Sequence, residues 1–465
     1  MPHRLTIIGS GPGGYVAAIR AAQKGARVTL IEEAEVGGTC LNWGCIPTKT
    51  LLASAEALMH ARNAPDMGVI TGGDVGFDLS RIRDRKDKVV ATQVKGVREL
   101  LKRNGVNLLP ARGSILSEDV VRAVQKDGTT QDIGSDSIII ATGSRPSRLP
   151  GIAFDGERII TSDEAVQMKR VPKSLLIIGA GVIGCEFAFI YRALGTEVTL
   201  VEMMEHAVAT EDREISELIE RELKKAKIKL VLKERAERVA ASAEGVTVVL
   251  AGGRELRVDQ VLVSIGRSYN SDNIGLDDVG IERGRRGEIV VNERMETNVK
   301  GIYAIGDVTG KVLLAHVASR QGIVAVENIL GGDERMDYEA VPAAVFTMPE
   351  IGSVGLREHE ASARGIPVRT GRFQYRALGK AHAMGEIVGL FKVVADARTD
   401  KVLGVHICGA HASDLVHEGA LAIRLGATAR QLGSMIHAHP TLAEGIMEAM
   451  EDVHGTAIHG MPRSG

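Results

Sequence analysis

Aromatic side chains make up only 3% of the 465 residues, which argues against a platform of stacked nucleic-acid bases. Cysteine is also sparse. Four in a chain of this length do not make a disulfide-stapled secreted scaffold. Long apolar runs are missing, the longest being strand-sized and well short of the roughly 18 residues that a membrane helix needs. Blocks of one charge sign are missing too. The 57 basic and 59 acidic side chains are mixed along the chain and leave a net charge of −2, so neither nucleic acid nor a membrane surface is indicated as a partner. The first strand pattern begins almost at Met1, leaving no room for a leader, so the expected location is the cytoplasm, or an organelle after processing.

What the chain has in quantity is glycine, 54 residues, suited to tight turns and to loops that approach a nucleotide closely. Its length exceeds what one hydrophobic core can serve, which predicts about two to four domains. The apolar run Leu5-Thr6-Ile7-Ile8 reads as a buried parallel strand and leads into Gly9-Ser10-Gly11-Pro12-Gly13-Gly14. A helical pattern from Tyr15 to Lys24 ends at Gly25, and a second strand, Ala26 to Ile31, closes on Glu32. Glycines for the turn and for backbone approach, a helix start for the pyrophosphate and an acid for the ribose make a complete dinucleotide fingerprint. The design recurs. Strand Ser174–Ile178 leads into Gly179-Ala180-Gly181-Val182-Ile183-Gly184, then a helix from about Cys185 to Ala193, then strand Glu197–Val201 with Glu202 where Glu32 stood. Two such units predict two dinucleotides and electron transfer between them. Residues 203–206 after Glu202 contain no Arg or Lys, so the second unit should prefer NAD(H) to NADP(H). Two further strands run into turns, Ser137 to Ser144 and Gly301 to Asp307, the latter ending in a carboxylate suited to the flavin chain.

Shortly after the first fingerprint comes Gly37-Gly38-Thr39-Cys40-Leu41-Asn42-Trp43-Gly44-Cys45-Ile46-Pro47-Thr48-Lys49. No second Cys or His pair at metal spacing accompanies Cys40 and Cys45, so no metal is expected. A disulfide needs Cα atoms about 4.4–6.8 Å apart, closer than residues five apart on a regular helix. The segment should therefore be distorted, and Gly44 and Pro47 are suited to distorting it. A redox-active dithiol is the expected role. Cys185 and Cys408 have no partner at motif spacing and read as small buried hydrophobes.

These residues, with the C-terminal run His437-Ala438-His439-Pro440-Thr441-Leu442-Ala443-Glu444, resemble the pyridine nucleotide–disulfide oxidoreductases over essentially the whole chain. Within that family the likeness is strongest to its lipoyl-oxidising members. The resemblance implies an α/β protein with two Rossmann-like dinucleotide-binding domains, for FAD and NAD, plus an α+β dimerisation domain. The implied division is 1–145 and 270–340 for FAD, 146–269 for NAD and 341–465 for the interface. Implied FAD contacts are Gly9, Gly11, Gly13, Gly14, Glu32, Gly38, Thr39, Lys49, Gly113, Ala141, Thr142, Gly143, Asp307 and Ala315. Implied NAD contacts are Gly179, Gly181, Val182, Ile183, Gly184, Glu186, Glu202 and Gly266, with Lys49 and Glu186 pairing near the flavin. Cys40 would meet the substrate and Cys45 the flavin, with His439 as base, oriented by Glu444 and reaching the dithiol of the partner in a homodimer. His437 is read as structural or as support for His439. The implied reaction reoxidises dihydrolipoyl groups of 2-oxo acid dehydrogenase or glycine cleavage complexes and passes two electrons through FAD to NAD⁺. Trp43 departs from the smaller apolar residues usual at its position and is expected to fill space behind the sulfurs. Other disulfide reductases of the family fit less well: Glu202 speaks against an NADPH enzyme, and no cysteine pair follows Glu444 as a mercuric reductase would require.

Overall fold

The computed structural model describes residues 1–460. The chain forms two compact units, one from Met1–Arg148, Ser162–Lys169 and Gly266–Asp337, the other from Leu149–Thr161, Arg170–Ile265 and Tyr338 onward.

The first unit is built on five parallel strands in the order 302–304, 137–140, β1 (Arg4–Ile8), β2 (Arg27–Glu32) and 107–110. Leu5, Ile7, Ile8, Leu30, Ile31 and Ile138–Ile140 are buried, as an unbroken apolar strand requires when both faces of a parallel sheet are covered. From β1 the chain passes through helix α1 (Pro12–Gln23) to β2 on one side, while 137–140 lies on the other. The loop after β1 thus sits where strand order reverses, the place at which open α/β sheets bind ligands. Helix 315–329 packs against α1, and a three-stranded antiparallel sheet spans 112–134.

The second unit repeats the parallel plan with strands 229–231, 197–201, 174–178, 260–263 and 159–160 in that order. Its C-terminal part is an antiparallel sheet ordered 343–345, 351–355, 402–408, 390–396 and 368–374. Phe391, Val393, Val405 and Ile407 share one apolar cluster with residues of helices 412–425 and 444–452. By strand alternation, the opposite face of the three middle strands carries Ser353, His406 and Lys392 side by side in register, all buried. Among the described residues no helix is long and apolar enough to cross a membrane.

Candidate active site

The two glycine-rich turns are built alike. A Cβ on Gly9 would lie 2.3 Å from the Ala141 carbonyl oxygen, and one on Gly14 1.9 Å from that of Gly9. In the second unit, Gly179 would meet Ser264 O at 2.5 Å and Gly184 would meet Gly179 O at 2.0 Å. These glycines are needed by the protein's own packing. Gly11 and Gly181 differ, because a Cβ on either would meet nothing within 4 Å. Their open backbone is what close approach of a pyrophosphate requires, so both turns fit a dinucleotide. Helix starts also agree with the fingerprint: α1 begins at Pro12 and its counterpart at Val182, each earlier than the apolar pattern alone indicated, so Gly13, Gly14, Val182, Ile183 and Gly184 occupy first turns.

Each acid clamps its turn. Glu32 Oε2 accepts from Ser10 N (2.8 Å) and Oγ (2.7 Å), while Oε1 accepts from Ala34 N (2.8 Å). Glu202 Oε2 accepts from Ala180 N (2.7 Å) and Oε1 from Met204 N (2.9 Å). Beyond Glu202, Met203 and Met204 are exposed, and Glu205 binds Lys233 at 2.8 Å. That lysine is a cation that residues 203–206 did not reveal, and Glu205 neutralises it.

The cysteines sit on two helices separated by a break. Helix α2 (Gly38–Asn42) carries Cys40, and helix α3 (Cys45–Asn63) opens on Cys45. Gly44 makes the break, with φ −128° and ψ −110°. Pro47 does not: it lies in the first turn of α3, where its missing N–H costs no helical bond. The break brings the sulfurs together. A hydrogen bond with Cys45 raises the pKa of the Cys40 thiol, burial raises it further, and Lys49 opposes both. Cys40 is half-buried and Cys45 exposed, with Trp43 half-buried between them in sequence. The dithiol segment is pressed onto the first turn: Gly37 donates to Ser10 O at 3.0 Å, and a Cβ on Gly38 would lie 2.8 Å from Gly11 Cα.

Asp307 follows strand 302–304 and is bonded to the Ser144 hydroxyl, with Arg267 Nε 3.7 Å from its Oδ2. Arg267 also donates to Ser144 Oγ (2.6 Å) and Ser144 O (2.7 Å), and reaches Thr39 Oγ1 at 3.5 Å. Sequence reasoning missed Arg267 and Ser144, since only the pairing of 144–146 with 267–269 brings them to Asp307. Thr142 Oγ1 donates to Asn270 O (2.7 Å), Gly143 and Gly266 have left-handed backbone, Gly113 packs on Ile8, and Ala315 opens helix 315–329.

In the second unit, Glu186 is buried and accepts from Phe346 N at 3.0 Å. His439 Nδ1 lies 2.8 Å from Glu444 Oε1, whose Oε2 accepts from Thr441 N at 2.9 Å. Burial would raise the Glu444 carboxyl, but the Thr441 N–H and His439 outweigh it and hold its pKa below the ordinary value. His437 bonds Glu418 (3.0 Å) and the Met435 carbonyl (3.0 Å). The cysteines with Lys49 belong to one unit, and Glu186 with the His439–Glu444 pair to the other. Cys185 and Cys408 are buried, and burial raises both thiols. No cluster of metal-ligating side chains occurs among the described residues.

Two dinucleotide turns and a dithiol packed on one of them define a flavin- and nicotinamide-linked disulfide oxidoreductase. The chain belongs to the pyridine nucleotide–disulphide oxidoreductase family, whose model matches residues 3–322 and whose dimerisation domain matches residues 341–450. It is accordingly an FAD- and NAD-dependent enzyme, and it carries the element through which the family dimerises. It is 43% identical to a dihydrolipoyl dehydrogenase of Chlamydia muridarum over 98% of each chain. It is also 43% identical to one of Thermus scotoductus over 99% of each. The structure of LpdA from Mycobacterium tuberculosis superposes with a TM-score of 0.91 at 31% identity, covering 97% of this chain and 99% of that one.

Proposed function

We propose that the protein is the lipoyl-oxidising enzyme of a 2-oxo acid dehydrogenase or glycine cleavage complex, acting as a cytoplasmic homodimer. The observation that carries this reading is the Cys40–Cys45 pair, held across the Gly44 break against the first dinucleotide turn. Identity of about 40% or more to several dihydrolipoyl dehydrogenases over nearly the whole chain supports it.

A thiolate of the dihydrolipoyl group attacks Sγ of Cys40 in the oxidised pair, and Cys45 leaves as a thiolate. The second substrate thiolate then displaces Cys40, releasing the lipoyl disulfide and leaving two electrons on the dithiol. His439 of the partner subunit takes the substrate's thiol protons through Nε2, with Glu444 holding Nδ1. FAD, when bound, supplies two-electron exchange between this dithiol and NAD⁺. The residues proposed to hold the FAD are the turn from Gly9 to Gly14, Glu32, Gly38, Thr39, Gly113, Ala141 to Gly143, Asp307 and Ala315. The residues proposed to hold the NAD are the turn from Gly179 to Gly184 and Glu202. The division into 1–145 with 270–340, 146–269 and 341–465 is retained as a proposal, each part having its own central sheet.

Anaerobic titration with dihydrolipoamide, then with NADH, tests the reading. Both should reduce a bound flavin, and NAD⁺ should reoxidise it. Purified protein that is reduced by NADH but not by dihydrolipoamide would overturn the substrate assignment.

A further inference from the structure

The middle residue of each turn is held in the same way. Its N–H goes to the acid, and its carbonyl accepts from a residue just beyond. In the first unit that residue is Gly37, whose φ of +94° costs a glycine nothing. In the second it is Val208, which donates to Ala180 O at 2.8 Å with φ +43°. A β-branched residue there is strained and persists only if its surroundings over-determine it. Val208 is buried, and its carbonyl accepts from Glu211 N (2.8 Å) and Ser216 Oγ (3.2 Å). Both donors flank Asp212, which caps helix 213–225 through Glu214 N (3.0 Å).

Asp212 is gripped in turn from the C-terminal sheet. Lys392 Nζ lies 2.9 Å from both Asp212 oxygens and 2.7 Å from both Glu214 and Glu358. Lys392 is 2% and Asp212 1% exposed, so the pair is shielded from solvent and geometrically fixed. Arg372 adds a fork onto Glu214 (2.7 and 2.8 Å).

We infer that Lys392 is a positioning residue for the nicotinamide-nucleotide turn: through Asp212 and the start of helix 213–225 it holds the strained Val208, and thereby Ala180, in binding geometry. The dimerisation sheet therefore contributes to NAD affinity without touching the nucleotide. This rests on the reading of the turn from Gly179 to Gly184 as the NAD site.

The test is the dissociation constant for NADH, from flavin-independent fluorescence titration of the holoenzyme, measured beside single-turnover flavin reduction by dihydrolipoamide. Lys392→Met should weaken NADH binding about tenfold and leave the dihydrolipoamide half-reaction unchanged. In a Val208→Gly background the same substitution should have a markedly smaller effect, because glycine no longer needs the hold. Should Lys392→Met fail to accumulate, D212N/K392M removes both buried charges, retains an N-cap and should show the same weakening. Folded variants with wild-type NADH affinity, or an equal loss in both half-reactions, would overturn the inference. Wild-type enzyme that fails to bind NADH would instead sink the NAD assignment itself.

Discussion

Replacing Glu444 with glutamine isolates the charge behind the proposed base. Gln keeps the shape of the side chain and an oxygen for the Thr441 N–H, but it removes the carboxylate 2.8 Å from His439 Nδ1. A hydrogen bond to a charged group contributes about 1.5–3 kcal/mol. In the isolated chain His439 is 76% exposed and Glu444 19%, so the lower end, about 1.5 kcal/mol, is the least this pair contributes once a partner subunit covers it. If the imidazolium formed on proton transfer loses that much, kcat/KM for dihydrolipoamide should fall about tenfold. The assay is the initial rate with dihydrolipoamide and NAD⁺, run beside NADH oxidation by ferricyanide, which bypasses thiol exchange. The reasoning fails if kcat/KM stays within about twofold of wild type, or if the ferricyanide rate falls in parallel.

Gly184→Ala places a methyl 2.0 Å from Gly179 O; overpacking of about 1–3 kcal/mol should weaken NADH about ten- to a hundredfold while FAD stays bound, read by fluorescence titration and the visible spectrum. Gly14→Ala, with its methyl 1.9 Å from Gly9 O, should instead yield protein depleted in flavin. Cys45→Ser should abolish the long-wavelength thiolate–flavin band on two-electron reduction, and persistence of that band would assign the flavin-facing sulfur to Cys40. Burial would raise the Glu214 carboxyl, but bonds from Arg372 and Lys392 outweigh it and hold it down at about 2, against 4.5 ordinarily. A depressed carboxyl stabilises the fold fully above its unfolded pKa and loses that contribution as pH falls through the folded one. Glu214→Gln should therefore lower Tm at pH 7 and flatten the fall of Tm between about pH 4.5 and 2 in calorimetry; a wild-type acid limb in the variant would refute this.

Both turns were legible because their signals are contiguous. An apolar strand, a glycine series and an acid some twenty residues later all lie within one βαβ unit. Helix starts were read a few residues late, since Pro12 and Val182 carry no apolar periodicity of their own. Gly44 was correctly suspected of distorting the dithiol segment, whereas Pro47 fits a helix N-terminus, and residue type alone does not separate those uses of proline. The clamps made by Glu32 and Glu202 on their own turns went unread, because the fingerprint assigns those acids to ribose.

The amino-acid order by itself determined which chemistry the chain carries: two nucleotide turns, a dithiol spaced across a glycine, and an imidazole with an acid five residues on. Such features need only local backbone geometry. Tertiary structure alone decided what surrounds them. Arg267 reaches Asp307 through a strand pairing 123 positions long, Lys233 meets Glu205 across 28, and Lys392 meets Asp212 across 180. The first follows from strand register and the others from the packing of a loop and of a helix N-cap against distant segments, none of which a short window of residues contains.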